Sequence, residues 1–186
     1  MNSITGSSNK DPIYADSDNN IYQNKGNSEV EKYKKRMDEI MNDNSLPTFE
    51  KEAKLRNLLL ELAEYHRLNP NAPELDGVRA LITEIYSTVN ELGDKKFNVM
   101  YLQDEFEKVM NDKSIPTAEK QSRITALLGD INFNEKTLNE FIKNGQTKFE
   151  SPLNQIKILK EKAEAYLNAL EQQGSNEKIK KPFELF

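Results

Sequence analysis

The 186-residue sequence has no cysteine, no tryptophan, one histidine, seven glycines and seven prolines. Without cysteine there is no disulfide, no thiolate metal site and no cysteine nucleophile, and the redox compartment stays open. The one histidine, His66, lies near the end of an expected helix beside Arg67, where an exposed or cap-side position is the ordinary outcome. A di-metal site in a helical bundle needs Glu-x-x-His, and the residues three and four before His66 are Ala63 and Leu62, so that chemistry is excluded. Asp16-Ser17-Asp18-Asn19-Asn20 opens like a calcium loop. Ile21, however, stands at the sixth position, where glycine is required, and Asn27 at the twelfth, where a bidentate glutamate is required.

Other absences narrow the function further. No run approaches the roughly 18 apolar residues of a membrane span, and the first twenty residues lack the apolar core of a secretory signal. The expectation is a soluble protein without a cleaved signal peptide, cytoplasmic or exported by a signal-independent route. Acidic and basic residues alternate to a net charge of -5, which leaves no basic stripe to replace counterions on a nucleic acid. No phosphate-cradling glycine loop or nucleophile-base constellation is visible. Glu61 with Glu64 and Glu105 with Glu107 are the carboxylate pairs nearest to acid-base chemistry, but 31 acidic residues on amphipathic helices produce such pairs as a solvated face. The chain is therefore expected not to be an enzyme, with no cofactor, metal or nucleic-acid partner and with its oligomeric state open.

What is present is a repeat. Residues 41–62, from Met41-Asn42-Asp43 through Pro47-Thr48 to Leu62, return 69 positions later as 110–131, with ten of 22 positions identical. Each copy reads as a helix ending at Met-Asn-Asp, a Ser-x-Pro turn, and a new helix opened by Thr48 or Thr117 as its cap, with an acid two residues on. The fold class expected is all-α, about six helices as two duplicated three-helix units, with a flexible N-terminal tail. The domain boundaries follow: 1–27 flexible, 28–173 a bundle with repeat units at about 29–92 and 95–173, and 174–186 a C-terminal tail.

The chain supports this element by element. Residues 1–27 hold six Asn, four Ser and two Gly and bury too little to offset their ordering entropy. Within them Pro12–Tyr22 reads as a hairpin or an extended docking segment. Ser28 with Glu31 is a capping box for a first helix over about 29–42, and a second is expected over about 48–68, stopped by Pro70 and Pro73. The third, about 74–92, carries Leu75, Val78, Leu81, Ile82, Ile85, Tyr86, Val89 and Leu92 on one stripe, with Gly93 as its C-cap. A fourth, about 95–111, buries Phe97, Met100, Tyr101, Phe106, Val109 and Met110. The fifth continues or kinks near Asn132 before Gly145. The sixth starts with Ser151 as cap and Pro152 at the first helical position, and runs to about Gln173. Pro182-Phe183-Glu184-Leu185-Phe186 either folds back on the bundle or serves as a docking peptide. Leu60 lies off the main face of its helix, which marks a possible dimer seam.

Asp11-Pro12-Ile13-Tyr14-Ala15 resembles the Glu-Pro-Ile-Tyr-Ala motif of tyrosine-phosphorylated effectors that pathogenic bacteria inject into host cells. It differs by one acid-for-acid change and covers five of the 186 residues. The resemblance implies that Tyr14 is phosphorylated by host kinases and then read by SH2 domains, through the added charge and acceptor oxygens. In Tyr22-Gln23-Asn24, asparagine two residues after tyrosine resembles the preference of adaptor-type SH2 domains. The partner-binding residues expected are Ile13, Tyr14, Tyr22 and Asn24. Tyr166-Leu167-Asn168 shows the same spacing inside an expected helix, so packing of the aromatic rings on the bundle is the competing reading. Two functions compete in turn: a protein-protein interaction module, exported as a bacterial effector with tyrosine docking motifs in its tail, or a structural or assembly subunit, chaperone-like, without phosphotyrosine signalling.

Overall fold

The structure, a computed structural model, describes residues 28–180 and the side chains of 28–175. The expectations for 1–27, including Ile13, Tyr14, Tyr22 and Asn24, and for Pro182–Phe186 fall outside the described residues. Within them the protein is all-α: six α-helices, α1 (Glu29–Asn42), α2 (Thr48–Leu68), α3 (Leu75–Lys96), α4 (Val99–Asn111), α5 (Thr117–Lys143) and α6 (Glu150–Lys180), with a 3-10 turn at Thr147–Phe149 and no strand. No helix is long and apolar enough to cross a membrane among the described residues.

Two apolar cores form. In the first, Met37 of α1, Leu55, Leu58 and Leu62 of α2, and Val78, Leu81, Ile85, Val89 and Leu92 of α3 are buried together. In the second, Leu102, Phe106 and Val109 of α4 meet Ile124, Leu127, Ile131 and Leu138 of α5 and Leu153, Ile156, Leu159 and Ala163 of α6. Each is the apolar stripe of three amphipathic helices closed against one another, and this burial is the main stabilising term.

The two interhelical turns share backbone angles and side-chain hydrogen bonds where the sequence repeats. Asp43 and Asp112 have φ/ψ of -74/100 and -75/108, and Pro47 and Pro116 have -57/154 and -59/149. Ser45 N–H and Oγ donate to Asp43 Oδ1 at 2.9 and 2.5 Å, as Ser114 does to Asp112 Oδ1 at 2.8 and 2.6 Å. Lys51 Nζ donates to Met41 O at 2.8 Å, and Lys120 Nζ to Met110 O at 3.1 Å.

The termini of the helices depart from the sequence reading at several points. Thr48 and Thr117 are the first helical residues and not caps; Pro47 and Pro116 hold the N-cap positions, without side-chain capping. Gly93 does not end α3, which runs on to Lys96, because an ion pair from Lys96 to Glu52 and a hydrogen bond from Asn134 to Lys96 O hold its last turn. Consequently α4 starts at Val99, with Asn98 Oδ1 accepting from Tyr101 N–H at 3.0 Å. No break occurs near Asn132, and α5 stops where Gly145 takes a φ of 85°, a left-handed conformation that suits glycine. Glu150 precedes Ser151 in α6, so Pro152 lies in the first turn, where a missing N–H costs nothing. The same helix passes through Gly174 to Lys180. At the other end of the chain Ser28 caps as expected, its Oγ accepting from Glu31 N–H at 3.1 Å.

Two glycines inside helices differ in what surrounds them. A Cβ on Gly129 would lie 2.6 Å from Pro47 Cγ, whereas one on Gly93 would lie 3.7 Å from Glu52 Oε1, an ordinary contact. Gly129→Ala is therefore expected to destabilise the fold, since overpacking costs about 1–3 kcal/mol against the ~1 kcal/mol that alanine gains in a helix. Gly93→Ala is expected to stabilise it by about 0.5–1 kcal/mol. Urea unfolding followed by circular dichroism should move the two midpoints in opposite directions; a shared direction would show that the Pro47 contact is slack.

Candidate functional site

The carboxylates singled out by sequence are occupied on the surface. Arg36 holds Glu61 through two hydrogen bonds of 2.6 and 3.0 Å, Arg67 holds Glu64, Lys108 holds Glu105, and Gln103 donates to Glu107 at 3.2 Å. His66 Nε2 accepts from Arg79 Nε at 3.2 Å. Among the described residues no three His, Asp or Glu side chains gather in a way that would hold a metal ion. Tyr166, the residue that repeats the spacing of Tyr22, packs edge-on against Phe106 at 5.9 Å and donates from its hydroxyl to Met110 O at 3.4 Å, so its ring belongs to the bundle.

Two places combine unusual burial with unusual exposure. The first is the joint between the α1–α3 and α4–α6 units. Asp130 of α5, 3% exposed, accepts from Thr48 N–H through Oδ2 at 2.8 Å and from Phe49 N–H through Oδ1 at 3.0 Å. It thus caps α2 from another helix, satisfying two amides that the helix itself leaves unpaired. Burial pushes its carboxyl above the ordinary value, opposed by those two amides, the Thr48 hydroxyl and the Lys51 charge. Around it Gly129 admits Pro47, Phe133 stacks on Phe49 at 4.9 Å and tilts against Phe97 at 5.8 Å, and the buried Asn134 donates to Asp130 O at 2.9 Å and to Lys96 O. Glu52 is also buried. Burial works to raise its carboxyl, but the hydrogen bonds from Lys96 and Arg56 outweigh this and leave it below the usual range. A cavity of about 140 Å³ beside the joint is lined by Thr48, Lys51, Tyr101, Arg123 and Asp130 among others. Its charged groups already have partners: Lys51 donates to Met41 O, and Arg123 holds Glu119 at 2.5 Å. Burial lowers the Lys51 ammonium. The joint is a structural clamp.

The second place is an open groove of about 790 Å³ between α4 and α6. Met100, Gln103, Glu107 and Met110 form one wall and Gln155, Ile158, Lys162 and Ala165 the other, each set at spacings of three, four and three residues, with Phe106, Leu159 and Tyr166 as the floor. Met100 is 75%, Ile158 55% and Met110 37% exposed. The sequence reading assigned Met100 and Met110 to the core of α4, along with Phe97; the structure turns both methionines outward and leaves Phe97 exposed, outside the helix. Tyr86, assigned to the α3 stripe, is likewise exposed. Across the seam between α1 and α3, Lys34 reaches Glu84 at 2.5 Å, and Val30 packs on Gly77, where a Cβ would lie 3.3 Å from Val30 Cγ2.

Sequence reasoning passed over Asp130 and the groove. The signal for Asp130 lay in its neighbour, since Gly129 replaces Leu60 of the first copy in mid-helix, which marks close backbone approach. For the groove it lay in α4 carrying more apolar residues than a single face can bury. Compared with protein-family models, curated proteins and solved structures, the chain matches none.

The clamp generates a stability prediction with a definite sign. Asp130→Ala leaves two amides of α2 unpaired in a half-buried place, at a cost of about 1–3 kcal/mol. Thr117→Ala, at a helix start without such a partner, should change little. For Glu52, the folded carboxyl lies below its unfolded value, so its contribution is present above about 4.5 and is lost as pH falls through the folded value. Glu52→Gln should therefore cost about 1.5–3 kcal/mol at neutral pH, with the gap to wild type closing in acid. A gap constant from pH 7 to 3 would contradict the assignment.

Proposed function

We propose that this chain is a non-enzymatic protein-protein interaction module that receives its partner in the α4–α6 groove. The observation that carries this reading is the exposure of Met100, Ile158 and Met110 along two level helix faces, because an apolar stripe left open in a folded protein is a place for another surface. The alternative, a structural or assembly subunit, uses the same groove permanently rather than reversibly. In favour of a reversible site are the flexible methionine side chains, which adapt to different surfaces.

The same proposal takes the two three-helix units as descendants of one duplicated unit. Support comes from the matched turns and from the apolar stripes of α3 and α6, in which Val78, Leu81, Ile85, Val89 and Leu92 and then Ile156, Leu159, Ala163, the half-buried Leu167 and Leu170 keep one spacing of three, four, four and three residues. The resemblance of Asp11–Ala15 to bacterial effectors extends the proposal to a second contact, with Ile13-Tyr14 and Tyr22-Gln23-Asn24 as phosphotyrosine segments for SH2 domains.

Panning a library of displayed helical peptides on the full chain tests the groove. Peptides with apolar residues at i, i+3 and i+7 should be retained by the wild type and lost on Ile158→Glu; retention by both, or no enrichment, removes the groove as a partner site. A Src-type kinase with mass spectrometry tests the tail independently. Modification at Tyr14 and Tyr22, with SH2 binding lost in the Tyr→Phe variants, is the expected result, and unmodified tyrosines would end that extension.

A further inference from the structure

The groove carries a charge on each wall. Glu107 lies on α4 and Lys162 on α6, and because α4 and α6 run parallel with Met110 beside Tyr166, these two residues lie within about one turn of the same height. Lys162 makes no ion pair among the described residues, and Glu107 accepts only from the neutral Gln103. The walls thus form an apolar trough, about three turns or ~15 Å long, acidic on one side and basic on the other.

Resting on the interaction reading above, we infer that the occupant of this groove is a second copy of the same groove. A two-fold axis along the trough sets α4 of one copy over α6 of the other, so that Glu107 meets the partner's Lys162 twice, once on each side. Met100 then covers the stretch at Gln155 and Met110 the stretch at Ala165, where the facing wall carries no bulky apolar group. Ile158 comes over Gln103. The surface is self-complementary in both charge and bulk, which is what an isologous contact requires.

The segment 181–186 does not reach this place. Residues 181–186 span at most ~20 Å fully extended, while Lys180 stands fourteen residues, ~21 Å, beyond Tyr166 along α6, and the groove runs from there further back toward Gln155. Two helix faces of this length sit at the lower end of specific interfaces, roughly 1,000 Å² in total, so the dimer is in reversible exchange with the monomer.

Sedimentation equilibrium of the full chain from about 10 µM to about 1 mM brackets the affinity of an interface this small. The average mass should rise from 21.4 kDa toward twice that value, and Ile158→Glu should hold it at the monomer with its unfolding midpoint unchanged. Glu107→Lys or Lys162→Glu alone turns two attractions into two repulsions and should weaken the dimer about 3–10-fold. The two together exchange the walls and should restore it to within about twofold. A monomer throughout the range, a dimer indifferent to Ile158→Glu, or a double variant no better than the singles would overturn the inference. A monomer that still retains library peptides at the groove would refute self-association alone, whereas a monomer that retains none would remove the interaction reading with it.

Discussion

A helix cannot satisfy its own first amides, and in this protein that constraint is met across the molecule. The Ser-x-Pro turn delivers α2 with a proline at its N-cap, which has no side-chain acceptor, so two N–H groups would be left without partners in a half-buried place. Asp130, eighty-one and eighty-two residues away in sequence, supplies both acceptors. The rest of the joint follows from bringing that carboxylate close. Glycine at 129 lets Pro47 in, Phe49 comes to lie on Phe133, and Asn134, one turn further along, closes the end of α3 by donating to Lys96 O. A single carboxylate thus orients the start of one helix, and its neighbours fix the end of the next.

Much of the scaffold was legible in the sequence. The cap at Ser28, the stop at Pro70 and Pro73, the turns at Pro47 and Pro116 and the end of α5 at Gly145 are written in local chemistry, and local chemistry decides them. The departures occur where a distant partner decides. Gly93 has the look of a helix end, but Glu52 and Asn134 hold the turn beyond it. Thr48 has the look of a cap, but the acceptor comes from α5. Met100 and Met110 fall on helical spacing with Phe106, and spacing alone does not reveal that α5 and α6 leave no room for them. The tyrosine motif, in contrast, is local chemistry whose meaning depends on a partner, and nothing in the bundle bears on it.

The two three-helix units differ in the side chains at one seam. Between α1 and α3 a lysine meets a glutamate and a valine presses on a glycine. Between α4 and α6, Gln103 stands 69 residues after Lys34, Lys162 stands 78 after Glu84, and Met100 stands 69 after Glu31. Beneath each seam lies a packed core of its own.

Leu60 stands where Gly129 stands in the second copy, and it is 69% exposed. The glycine admits the proline turn of the preceding unit; the leucine fills that space with a side chain. The contact that joins the two units is therefore not reproduced at Leu60, where a side chain occupies the space that Gly129 leaves to Pro47.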